Sequence, residues 1–134
     1  LLNASKAEYL LIGGYAVAYY GYPRATADMD IWIAMNPDNA KKLVEVLREF
    51  GFDSDELTPE LFLKDWQLIR LGAPPVRIEI NTTISGVNFD ECYGERIEDT
   101  LDGVKVKLIS LKHLKLNKKA AGRHQDLSDL ENLP

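Results

Sequence analysis

The chain's 134 residues suffice for a single domain spanning 1–134 with one core, and 46% hydrophobic with 28% charged residues is an ordinary globular balance. No apolar run approaches the roughly 20 residues of a membrane span, and the opening LLNASKAEYLL lacks the basic start and long apolar centre of a signal peptide. A net charge of −5 argues against a general nucleic-acid coat, and the lone Cys92 excludes an internal disulfide, so a cytoplasmic protein with no membrane partner and with Cys92 as an inert small residue is expected.

In chain order, the first residues read as the end of a helix entered partway. EYLLI (8–12) is a strand, broken by Gly13-Gly14, and YAVAYYG (15–21) is a short helix ending at Gly21. Pro23 makes YPRAT an extended loop. DMDIWIAM (28–35) alternates as a strand. Asn36 as N-cap and Pro37 at the first helical position open a helix with apolar residues at 40, 43, 44, 47 and 50, stopped by Gly51.

The acidic stretch 53–66 reads as loop, with a short helix after Thr58-Pro59. QLIRLG (67–72) and VRIEINTT (76–83) form strands joined by Ala-Pro-Pro as a hairpin. NFDECYGERI (88–97) is a short helix, and 99–110 a hairpin turning at Asp102-Gly103. Ser110 caps a helix over 111–121, Gly122 ends it, and a last helix runs through 124–133. The order predicts an α/β or α+β fold: a mixed sheet flanked by helices, with a C-terminal helical pair. Residues 103–125 carry seven basic and no acidic side chains, leaving nine basic against 21 acidic elsewhere. A basic segment on a body of net charge −12 suggests a local anion site, or simply a solvated helix face.

Chemistry concentrates on two strands. Met29, Ile31 and Ile33 share one face of 28–35 and enter the core, whereas Asp28 and Asp30 share the other, with Cα atoms about 6.5–7 Å apart. Two adjacent carboxylates suit an oxygen-ligated cation such as Mg²⁺; a solvated strand face is the alternative. In VRIEI, Arg77 and Glu79 share the polar face. If that strand lies beside 28–35, Glu79 becomes a third carboxylate, and three can hold two divalent ions for phosphoryl or nucleotidyl transfer. Otherwise Glu79 is a surface charge paired with Arg70 or Arg77. Gly13 and Gly14 leave backbone N–H groups open to a phosphate, though a tight turn explains them equally well. Arg24 is placed to clamp phosphate or to pair with a site carboxylate, and Thr26 to orient Asp28.

GG-Y-A-V…G-Y-P-R-A-T-x-D-x-D-I-W-I resembles the nucleotidyltransferase superfamily typified by DNA polymerase beta. More narrowly, with PPVRIEINTTISGVNFDECY and ISLKHLKLNKKAAGRHQDLSDLENL, the chain looks like the minimal nucleotidyltransferases and AbiEii-type toxins of prokaryotes. The resemblance covers nearly the whole chain and implies the nucleotidyltransferase fold. Asp28, Asp30 and Glu79 would be the metal-binding and catalytic carboxylates. Gly13 and Gly14 would meet the triphosphate, Lys118 and Arg123 would face nucleotide phosphates, and Asp126 would begin the last helix. Three positions depart from the pattern: Glu79 replaces a more usual Asp, Gly14 a Ser, and His124 a common Pro.

The implied activity is Mg²⁺- or Mn²⁺-dependent transfer of a nucleoside monophosphate from an NTP such as ATP. The acceptor is a hydroxyl on a protein, a tRNA or a small molecule, and pyrophosphate is released. The alternative is a silent or weakly active nucleotide-binding module with a partner protein in a toxin–antitoxin pair. An extended nucleic-acid contact is disfavoured by the acidic body. His113, His124 and Cys92 have no zinc spacing, and His113 reads as packed. Trp32 reads as packing at the sheet edge, and Tyr15, Tyr19, Tyr20 and Tyr22 as rings buried around the first helix.

Overall fold

Period-2 and period-3.6 patterns sort the chain into strands and helices that stack in layers. The computed structural model describes residues 6–22, 28–49, 51–52, 55–73, 76–101 and 103–134, without the side chains of residues 28, 73 and 76. Strand β1 (Tyr9–Ile12) runs into helix α1 (Gly13–Tyr19) and strand β2 (Asp28–Ile33). Helix α2 (Pro37–Glu49) and a 3-10 turn (Pro59–Phe62) lead to the hairpin β3 (Leu68–Ala73) and β4 (Val76–Asn81). Helix α3 (Phe89–Gly94), the hairpin β5 (Ile97–Leu101) and β6 (Val104–Leu108), and helices α4 (Leu111–Ala121) and α5 (His124–Asn132) complete it.

The described strands form a six-stranded mixed sheet in the order β3-β4-β2-β1-β6-β5. β2 runs parallel to β4 and β1 parallel to β6, while β1–β2, β3–β4 and β5–β6 are antiparallel. Alternation gives each face its own core. Tyr9, Ile31, Ile33, Ile69 and Ile80 pack against Ala40, Leu43, Val44 and Leu47 of α2 and Phe62 of the 3-10 turn. On the other face Leu10, Ile12 and Trp32 pack with Ala16, Val17, Cys92, Ile109 and Leu114 from α1, α3, α4 and the segment after β6. Each buried Leu, Ile, Val or Phe among them contributes about 1.5–3 kcal/mol. The architecture is α+β, as expected from the sequence.

One polar residue is deeply buried in the first core. Asn39 Oδ1 accepts from the Glu8 N–H (2.7 Å), and its Nδ2 donates to the carbonyls of Glu8 (3.1 Å) and Ala34 (2.8 Å). The side-chain amide therefore ties α2 to the chain on either side of the β1–β2 pair. Asn36 caps α2 as read, its Oδ1 accepting the Asn39 N–H.

Several expectations change in detail. α1 begins at Gly13, so the two glycines open the helix instead of preceding it. Strand β5 takes Ile97, expected at the end of α3, because pairing with β6 begins at Ile97↔Leu108. β2 lies inside the sheet, so Trp32 is not at an edge: it is 2% exposed, donates from Nε1 to the Thr82 carbonyl (3.3 Å) and meets Phe89 edge-on. Tyr15 stays exposed, whereas Tyr20 and Tyr22 pack on the second core and the Tyr19 hydroxyl reaches Asp99 Oδ2 (2.6 Å). The helix end expected at the N-terminus, the Pro23–Thr26 loop and Asp102 lie outside the described residues. Cys92 is fully buried, and burial, then Glu91 and Glu95, push its thiol up to about 11. His113 is packed, with Ser110 Oγ 2.9 Å from its Nδ1.

Candidate active site

Strand register builds the centre of the site. Ile12 pairs with Asp30, Asp30 with Glu79, and Glu79 with Arg70, a straight row across β1, β2, β4 and β3. Paired residues on neighbouring strands point to the same face, and the strands lie about 4.8 Å apart. Asp30 and Glu79 are thus adjacent carboxylates inside the sheet. The backbone of Asp28 sits one step back in the same register, opposite Arg77.

Gly13 follows Ile12 and starts α1 beside this row. Its φ is +65°, and a Cβ there would collide with Asp30 Oδ2 and come within 2.9 Å of Asp30 Cβ. Only glycine lets the helix start approach the carboxylate so closely. The row floors a cleft of about 610 Å³ whose walls include Gly13, Gly14, Asn81, Asn117, Lys118 and Arg123.

Arg70 Nε donates to Glu79 Oε1 at 2.9 Å, so one oxygen of that carboxylate is held by an ion pair. In the sequence, pairing with Arg70 is the alternative to a metal role for Glu79. Arg24 and Thr26, expected here, lie outside the described residues, as does the Asp28 side chain. Among the described residues no group of three His, Cys, Asp or Glu side chains is placed to hold a metal.

The basic residues of the last two helices divide. Lys118 lines the cleft but is 5% exposed, and its Nζ is engaged by Asp126 Oδ1 (3.2 Å) and Asp129 Oδ2 (3.1 Å). The phosphate contact expected of Lys118 would thus come from an ammonium already paired with two carboxylates. Arg123 is different. Its side chain is 79% exposed, bonds Asp126 from Nε (2.7 Å) and lines the cleft. The Asp126 hydrogen bond and charge, then the fields of Asp30 and Glu79, raise its pKa further above an already high value. Burial pulls the Asp126 carboxyl upward, but Arg123 and Lys118 outweigh it and hold the group below the usual carboxylate range. Asp126 also accepts the Arg123 N–H at the start of α5, a favourable place for a negative charge.

Trp66, Leu68, Asn81, Thr83, Asn117 and Gln125 also line the cleft, and none belongs to the site residues expected from the sequence. Alternation along β3 and β4 placed Leu68 and Asn81 on the carboxylate face once the register was known. No motif marked the other four.

Residues 1–133 match the family model of aminoglycoside-2''-adenylyltransferase. The chain belongs to this family. No curated protein shows significant sequence similarity to it. Among solved structures, it resembles a protein from Thermotoga maritima assigned as a nucleotidyltransferase (TM-score 0.62, 19% identity, covering 97% of this chain and 83% of that one). It also resembles the lincosamide antibiotic adenylyltransferase LnuA in its lincomycin-bound form (TM-score 0.54, 16% identity, covering 98% and 88%). These likenesses show a nucleotidyltransferase fold, and family membership supports adenylyltransferase activity. Among the described residues no helix is long and apolar enough to cross a membrane.

Proposed function

We propose that the chain transfers an adenylyl group from ATP to a hydroxyl of an aminoglycoside, releasing pyrophosphate. The observation that carries this reading is the Asp30–Glu79 pair, set side by side by register beneath the glycine start of α1, in a chain matched end to end by that family. The acceptor oxygen attacks the α-phosphorus and the bond to the bridging oxygen breaks. The electron pair leaves with pyrophosphate, and the hydroxyl proton passes to a site carboxylate, for which Glu79 is the candidate.

The residues present fit a divalent cation, because the donor set is all oxygen and Gly13 keeps the space at Asp30 clear of a side chain. Asp28, Asp30 and Glu79 would hold Mg²⁺ or Mn²⁺, which when bound neutralises phosphate charge and acidifies the attacking hydroxyl. Arg70 fixes the orientation of Glu79. Gly13 and Gly14 offer backbone N–H groups at the cleft wall, and Arg123 supplies an exposed guanidinium for phosphate oxygens.

The test is incubation of the purified chain with α-labelled ATP, Mg²⁺ and kanamycin, with bulk tRNA and cell protein as parallel acceptors. Labelled kanamycin should form, and Asp30→Asn or Glu79→Gln should lower kcat/KM by about a thousandfold or more with the fold intact. Label on tRNA or protein instead would overturn the acceptor class. Undiminished transfer by both variants would overturn the site.

A further inference from the structure

Trp66 is the most exposed large apolar residue described, at 66%, and it is a wall of the cleft. Its backbone has φ +57°, a conformation that a bulky residue rarely adopts. The segment is nevertheless tightly held. The Trp66 N–H donates to Thr83 Oγ1 (3.0 Å), the Gln67 N–H to Thr82 Oγ1 (2.9 Å), and Thr82 Oγ1 to the Lys64 carbonyl (2.6 Å). The backbone is thus held in a strained conformation at a residue whose indole contributes to neither core. Leu68, two residues on and 44% exposed, lines the same cleft. The ring adds nothing to either core, and its place in the cleft wall makes it available to a ligand.

The sheet order gives the cleft a direction. Gly13 and Gly14 adjoin the β1 end of the carboxylate row, and Trp66 precedes β3, at its opposite end. In-line displacement puts the leaving and attacking oxygens on opposite sides of the α-phosphorus. With the leaving pyrophosphate over the glycines and the reacting centre over Asp30 and Glu79, the attacking hydroxyl arrives from the β3 side.

We infer that Trp66, with Leu68 beside it, is the platform on which the acceptor sits: an aminated sugar ring stacks its C–H face on the indole and brings an ammonium against the ring's negative face. This assignment rests on the proposed transfer to an aminoglycoside. Trp66 is a specificity-determining residue, and it acts on acceptor affinity.

Steady-state kinetics with kanamycin and ATP test it. Trp66→Ala should raise the kanamycin KM about tenfold with the ATP KM changed less than about twofold, and Trp66→Phe should recover most of the loss. An unchanged kanamycin KM overturns the assignment while leaving the transfer reading intact. A rise in the ATP KM alone gives the ring to the nucleobase and also overturns it. If the wild-type chain transfers nothing to kanamycin, the transfer reading fails, and equilibrium binding of kanamycin then decides the platform separately. Binding lost in Trp66→Ala supports it; no binding by the wild type, or equal binding by both, overturns it.

Discussion

At the scale of single residues, the ionic knot beneath the cleft makes the sharpest demands. Lys118 is buried between Asp126 and Asp129, and Gln125 Nε2 donates to the remaining Asp129 oxygen at 2.9 Å. Removing one partner of a buried ion pair strands the others, so Lys118→Met should cost about 3 kcal/mol, read as a lower urea midpoint at unchanged slope. The same knot sets an acid limb. The folded Asp126 carboxyl lies below its usual range, so in mild acid the unfolded chain binds the extra proton and stability rises with pH. That contribution is complete above the unfolded pKa of about 3.9 and is lost as pH falls through the folded value. Melting temperatures between pH 3 and 6 should fall steeply at the acid end for the wild type and less steeply for Asp126→Asn. In the sequence, Lys118 was legible as a basic residue near the site. Its partners, one and two helical turns into the next element, were not, because ion-pair choice depends on how α4 and α5 cross.

At the scale of elements, local pattern was a good guide to existence and a poorer one to boundaries. The spacing of Ala40, Leu43, Val44 and Leu47 marked α2 and its buried face. The same pattern hid Asn39, whose polar amide satisfies the Ala34 carbonyl just before α2 and both backbone groups of Glu8, which is remote from α2 until the sheet forms. Asn39→Ala should leave those groups unpaired in a buried setting and destabilise the fold by about 2–3 kcal/mol, measured by thermal or urea unfolding. The α1 start moved two residues earlier for a comparable reason. Intrinsic propensity treats Gly-Gly as a break, but close approach to the Asp30 carboxylate makes glycine the one residue that fits at Gly13.

For the whole molecule, the cleft has a floor from the sheet and a wall from α4 and α5, joined to each other around the second core. A nucleotide that spans both should stabilise the chain by mass action. Saturating ATP with Mg²⁺, at about a hundred times its Kd, should add about 2.7 kcal/mol and raise the melting temperature. Arg123→Ala should shrink that shift without changing the melting point of the free chain by as much as Lys118→Met does, because the Arg123 side chain is largely exposed. Differential scanning fluorimetry with and without ATP separates the two effects.

The sequence by itself determined the elements, the two carboxylate-bearing strands and the glycine pair, because alternation, capping and side-chain chemistry are local properties of a few neighbouring residues. It also carried the family resemblance. Only the tertiary structure decided that Asp30 stands against Glu79, that Arg70 takes one of that carboxylate's oxygens, and that Lys118 is neutralised while Arg123 is exposed. It alone brought Trp66 to the cleft. The Asp30, Glu79 and Arg70 outcomes depend on strand order and register, since a one-residue change of register would turn each to the other face of the sheet, whereas those at Lys118 and Arg123 depend on how α4 and α5 cross.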